Sequence, residues 1–169
     1  MLALSLAVRL TAVCVLGWLA VVDVRARRLP DAGVLAVAVL FLADALATRL
    51  SLAAVGLHFG VALAVYVVCA LLFALKLLGG GDAKLAAALF LWAGPGLSLP
   101  MLTLISVTGT LVGLTSLATS GMEPAAHGGP LRALAMFSSR RGVPYGVALA
   151  LGGGAAILLP ALLPFVFRH

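Results

Sequence analysis

Apolar residues fill long stretches of this chain, and polar residues are mostly confined to the short segments between them. A helix needs roughly 20 apolar residues to cross the hydrocarbon core of a bilayer. We therefore expect an all-α membrane protein, a polytopic bundle of about six transmembrane helices that forms a single domain over residues 1–169. The six predicted spans are 3–22, 32–48, 52–78, 85–99, 100–120 and 144–167.

The fourth of these stretches is the least regular, because Gly94-Pro95-Gly96 interrupts it. Proline removes a backbone donor and clashes with the preceding helical turn. Two alternatives follow: the stretch is either a short span or a re-entrant segment buried within the protein.

The composition agrees with a membrane location. Hydrophobic residues make up 64% of the chain, charged residues only 9%, and the mean hydropathy is +1.25. A water-soluble domain could not cover its surface with so few charges, so a soluble enzyme or binding module is excluded. Residues 1–22 are expected to be a retained first helix rather than a signal peptide, because Arg9 lies inside them and further spans follow.

The net charge of +6 could indicate a nucleic-acid partner, but the basic residues cluster in short loops, where such residues usually set membrane orientation. If the fourth stretch spans, the loops after the first, third and fifth spans are all cytoplasmic. If it is re-entrant, the last of these loops lies outside. We favour six spans in the cytoplasmic membrane, surrounded by lipid and without a nucleic-acid partner. The basic residues concerned are Arg25, Arg27, Arg28, Lys76, Lys84, Arg132, Arg140 and Arg141.

Cysteine and histidine positions give no sign of a bound cofactor. Cys14 and Cys69 lie in apolar stretches without paired spacing, and the histidines lack the spacing of metal ligands. We expect neither a metal nor another cofactor. In the long polar connection before the last span, residues 131–137 carry apolar residues at helical spacing and predict a short helix on the membrane surface.

Two of the five acidic residues lie at the ends of different predicted spans. Asp23 closes the first span, and Asp82 opens the fourth, so both face the cytoplasm in the favoured topology. Ionisable residues at this depth are costly and are therefore candidates for function. Two carboxylates in a poorly solvated site share one proton, so that one can activate water while the other donates to a scissile carbonyl.

Three glycines, Gly79, Gly80 and Gly81, precede Asp82. Glycine permits a positive φ and close approach of another backbone, which would help an extended peptide to lie beside the carboxylate. A tight connection between two spans would use the same residues, so the glycines by themselves are a weak signal. The pattern is not that of a phosphate-binding loop.

Three segments together resemble the type IV prepilin peptidase family. Val22-Asp23-Val24-Arg25, continuing through Arg28-Leu29-Pro30, is similar to the first aspartate motif of that family. The second motif, GxGD followed by lysine, resembles residues 79–84, and the Pro-Tyr-Gly at the start of the last span resembles Pro144-Tyr145-Gly146. The short length is similar to the members that serve tight-adherence and Flp-type pili.

The resemblance implies a GxGD aspartic endopeptidase that cuts prepilin or pseudopilin precursors at the cytoplasmic face, after a glycine that precedes the hydrophobic helix. Asp23 and Asp82 would then be catalytic, and Gly79, Gly80, Gly81 and Lys84 would belong to the substrate-binding loop. Asp31 stands where the family usually has asparagine. Because either residue can cap a helix, we expect Asp31 to cap the second span. A four-cysteine insert of the larger members is missing, which puts methyltransferase activity in doubt.

Other interpretations of these charges remain open at this point. Asp44, inside the second span, is the main competitor for a place in the pair, although its flanking residues match no catalytic motif; otherwise it has a neutral or paired structural role. Lys84 could favour the ionised form of Asp82, hold the loop, or serve as a topology anchor. The chain as a whole could also be a small ion-coupled transporter or a non-catalytic assembly subunit.

Overall fold

A computed structural model describes residues 2–120 and 145–166, and these residues form helices joined by short turns. Three helices, α1, α3 and α4, contain stretches long and apolar enough to cross a membrane, and the described part of α5 is a shorter apolar helix. The protein is thus multi-pass and all-helical over the described ranges. The helices are α1 (Leu2–Ala26), α2 (Asp31–Ala47), α3 (Leu52–Ala74), α4 (Gly80–Ala118) and α5 (Tyr145–Val166).

The prediction of six helices was wrong, since the described residues form five. The stretches 85–99 and 100–120 belong to one element, α4, which leaves helical geometry only at Gly94, where φ is 55° and ψ is −167°. A residue with a side chain rarely adopts this positive φ, whereas glycine adopts it readily. The predicted surface helix at 131–137 lies outside the described residues.

The chain folds back on itself at Gly94. A Cβ placed on Gly153 of α5 would lie 2.5 Å from the Leu89 side chain, and a Cβ on the adjacent Gly152 would lie 2.7 Å from the Ile105 backbone. In a straight helix, Leu89 and Ile105 would be about 24 Å apart. Helix α4 therefore consists of a first arm (80–93) and a second arm (95–118) that lie side by side against α5, with both ends of α4 on one side of the bundle.

Helix α3 compensates for the break in α4. Pro95 has no N–H to donate to the carbonyl of Leu91 four residues earlier. The Nδ1 atom of His58 lies 2.7 Å from that oxygen and, because a carbonyl only accepts, carries the proton in this contact. The imidazole also stacks on Phe41, with ring centroids 5.1 Å apart. A Cβ at Gly94 would overlap the same imidazole, which gives a second reason for glycine there.

The core lies between α1, α2, α4 and α5, where α1 packs on α2 and α5, and α4 packs on α2 and α5. Helix α3 differs, because it has no buried residue and packs chiefly on α4. Large apolar side chains such as Leu46 and Leu99 are exposed, as expected for a surface that faces lipid. The fully buried large side chains include Leu16, Leu19, Leu85, Leu89 and Met101.

Candidate active site

The carboxylates of Asp23 and Asp82 line one cavity of about 360 Å³. Asp23 lies in the last turn of α1 and Asp82 in the first turn of α4. The chain crosses the bundle in α1, α2 and α3 before the first arm of α4 begins, and this alternation brings the end of α1 and the start of α4 to the same side. The rest of the cavity wall comes from the adjoining connections, namely Arg27, Arg28, Leu29, Asp31, Gly79, Gly80 and Gly81.

Asp23 is held against the start of α5. Its residue is only 6% exposed, and its Oδ2 atom accepts no hydrogen bond from the described part of the chain. A Cβ on Gly146 would lie 2.9 Å from both Cγ and Oδ2 of Asp23, so only glycine leaves room for this carboxylate. The backbone N–H groups of Gly146 and Val147 lie close enough to stabilise a negative charge there.

The three glycines before Asp82 provide space rather than unusual backbone angles. Gly79 has an extended conformation with φ −73°, and Gly94 is the glycine with positive φ in the described ranges. Of the two properties of glycine considered for this loop, close approach is therefore the one that these residues use. A Cβ on Gly79 would lie 2.6 Å from Oδ2 of Asp82, and one on Gly80 would lie 3.3 Å from the Phe73 ring.

Two contacts join the connection after Asp23 to the start of α4. A Cβ on Gly81 would lie 3.0 Å from the Leu29 side chain, so the two segments approach closely. Lys84 Nζ lies 2.8 Å from Asp31 Oδ1. Both side chains are largely exposed, so water and salt screen this ion pair and it adds little to stability. Of the alternatives for Lys84, holding the loop is the one that this contact favours.

The expectation that Asp31 caps α2 was wrong. Pro30 occupies the N-cap position and no side-chain capping hydrogen bond is present, because Asp31 is already the first helical residue and points to Lys84.

Asp44 lies away from the cavity and is paired with Arg9, at 2.8 Å between Oδ2 and the guanidinium. Of the roles that the sequence left open for Asp44, this buried ion pair favours the paired structural role. Arg140 lies outside the described ranges.

Within residues 2–120 and 145–166, no three His, Cys, Asp or Glu side chains are grouped so that they could hold a metal ion. The cavity brings the two helix-end carboxylates, Asp23 and Asp82, together with Arg27, Arg28 and Asp31, and Asp31 is paired with Lys84. Together, the apolar helices and the two helix-end carboxylates on one cavity wall describe a membrane protein with a candidate acidic site at one end of its bundle.

The Type IV leader peptidase family matches residues 10–114, and the chain therefore belongs to this family of proteases. The matched region contains both Asp23 and Asp82, and the family resemblance inferred from the motifs is confirmed. Neither a curated protein nor a solved structure matches the chain.

Sequence reasoning did not assign a role to Gly146. The signal was present, since the Pro144-Tyr145-Gly146 segment resembles the family's motif at the start of the last span. The motif could not show which residue Gly146 contacts. Gly146 at the start of α5 lies against Asp23 at the end of α1, which is far away in the sequence. Pro144 itself lies outside the described residues.

Proposed function

We propose that the protein is a membrane-embedded aspartic endopeptidase of the GxGD type, which removes the leader from type IV prepilin-like precursors at the cytoplasmic face. Asp23 and Asp82 are its catalytic pair. The observation that carries this proposal is that both carboxylates, from helices distant in sequence, line one small cavity. Membership in the leader peptidase family supports the reaction class and the kind of substrate.

In this mechanism the pair holds one proton between the two carboxyl groups. The ionised carboxylate removes a proton from a water molecule as its oxygen attacks the carbonyl carbon of the scissile peptide. The protonated partner donates to the carbonyl oxygen, which gives a neutral tetrahedral intermediate. When the C–N bond breaks, the protonated carboxyl group gives its proton to the leaving nitrogen. The other carboxylate takes a proton from a hydroxyl group of the intermediate as the new carbonyl forms, so the pair again holds one proton.

The test is incubation of the detergent-solubilised wild-type protein with a single-span precursor that carries a basic leader. We expect a shortened product whose new N-terminus, found by sequencing, lies directly before the apolar helix. The Asp82→Asn protein, at equal amount and equal folded fraction, is the control and should give none. An intact precursor with folded wild-type protein would contradict the proposal and favour a transporter or an assembly subunit.

The close glycine contacts predict a large effect of a single methyl group. Gly79→Ala and Gly146→Ala should each displace a carboxylate and lower kcat by about 100-fold, because misplacement by about 1 Å has effects of that size. Gly113→Ala is the matched control, since a Cβ there meets nothing within 4 Å, and it should cleave at the wild-type rate. Equal rates for all three variants would mean that these contacts do not position the carboxylates.

Chelation of metals should leave cleavage unchanged. The reaction is assigned to carboxylates, which need no metal to share a proton or activate water. The measurement is the cleavage rate before and after dialysis against EDTA. A loss of activity that added divalent metal restores would contradict the proposed mechanism.

A further inference from the structure

A second, apolar cavity of about 700 Å³ begins at Asp82 and extends along the bundle. It lies between α3 on one side and both arms of α4 and the start of α5 on the other. Its wall is formed almost entirely by apolar side chains and small residues. We call it the apolar groove, and its wall includes Val68, Leu72, Phe90, Ile105, Gly109 and Leu149.

Asp82 belongs to both cavities. It lines the polar cavity that also contains Asp23, and it lines the end of the apolar groove. The boundary between polar and apolar surroundings therefore lies at a carboxylate proposed to be catalytic. A chain that placed an apolar helix in the groove and a polar segment in the other cavity would present the peptide bond at their junction to Asp82.

Helix α3 forms the outer wall of the groove and packs chiefly on one neighbour, α4. It has no buried residue, and its hydrogen bond to another described helix, from His58 to Leu91, lies near its N-terminal end. The groove adjoins the opposite half of α3, from Ala64 onward. Anchorage at one end and an apolar cavity at the other would let this half of α3 move aside without breaking the core.

We infer that the apolar groove binds the transmembrane helix of the substrate, which enters from the lipid past the C-terminal half of α3. This inference rests on the proposed function and adds the place where the substrate helix binds. Helices associate within lipid through close packing, for which small residues at the contact are favourable. Gly109 supplies such a position in the second arm of α4, where an added Cβ would meet only the Ala148 methyl group at 3.8 Å.

Photo-cross-linking tests the groove independently of catalysis. A photoreactive amino acid replaces Val68, which lines the groove, in an Asp82→Asn protein that binds the precursor without cleaving it. The control places the same group at Val67, the neighbouring valine, which is half exposed and lines no described cavity. We expect a cross-link to the precursor's apolar helix from position 68 at least about 10-fold stronger than from position 67. Equal or absent cross-linking at position 68 would overturn the inference.

A filling substitution gives a second readout in the active protein. Gly109→Leu should raise KM for the precursor about 10-fold with little change in kcat, since an occupied groove weakens binding. Gly113→Leu, in the same arm but outside the groove, should leave KM unchanged. An unchanged KM in Gly109→Leu would count against the groove.

The two proposals fail in distinguishable ways. If the wild-type protein cleaves the precursor but position 68 does not cross-link, the proposed function stands and the groove is refuted. If position 68 cross-links selectively but the wild-type protein does not cleave, the groove stands and the peptidase assignment is refuted.

Discussion

Asp23→Asn and Asp82→Asn should each abolish cleavage of a prepilin-like precursor while the protein remains folded and inserted. Asparagine keeps the size of the side chain and much of its hydrogen bonding, but it cannot take a proton from water or donate one as an acid. Removal of a charge at the membrane edge should not reduce stability. The measurements are product formation by gel electrophoresis and the thermal unfolding midpoint of each variant in detergent.

The double variant distinguishes a shared unit from two separate contributions. Residues that act together in one step give effects that do not multiply, so Asp23→Asn with Asp82→Asn should be no slower than either single variant. A different result would contradict a shared-proton mechanism: each single variant retains measurable activity, and the fold-loss in the double variant equals the product of the two single fold-losses. Asp44→Asn is the matched control, because Asp44 lies in the bundle but away from the cavity. It should retain most activity per folded molecule.

The pairing of Asp23 with Asp82 could be anticipated from the sequence for a simple physical reason. Apolar stretches must cross the membrane, and the charged residues between them must lie at its faces. Alternation of the spans then places the end of the first helix and the start of the fourth on one side. In the structure both carboxylates line one cavity, as this alternation allows.

The contacts around the pair could not be anticipated in the same way. Several helices are apolar on all sides, so their sequences do not show which face packs on a neighbour. The rotation of each helix about its own axis decides whether Gly146 contacts Asp23 and whether Lys84 reaches Asp31. The Gly94-Pro95 pair did indicate a break in the helix. It did not indicate that the chain reverses direction at Gly94, or that His58 donates a hydrogen bond to the Leu91 carbonyl that loses its backbone donor.

The second large effect concerns stability and arises at the other end of the bundle, about 21 Å along α1 from Asp23. There Arg9 and Asp44 form an ion pair whose side chains are only 18% and 7% exposed. Ser5 also donates to the Asp44 carboxylate, and Arg9 donates to the backbone oxygen of Ile157 at 3.1 Å. The guanidinium lies 6.0 Å from the centroid of the Trp92 ring. One ion pair thus connects α1 and α2 to α4 and α5.

Arg9→Met should lower the free energy of unfolding by about 3 kcal/mol, because it leaves the buried Asp44 carboxylate without its counter-charge. Asp44→Leu should have a similar effect by leaving the Arg9 guanidinium unpaired. The double variant Arg9→Met with Asp44→Leu removes both charges and should recover most of the loss, since apolar residues often replace a buried ion pair without penalty. The thermal unfolding midpoint in detergent should fall by roughly 10 °C in each single variant and return toward the wild-type value in the double variant. A double variant as unstable as the sum of the two single variants would show that the two side chains stabilise the bundle separately, through Ser5 and Ile157, rather than as a pair.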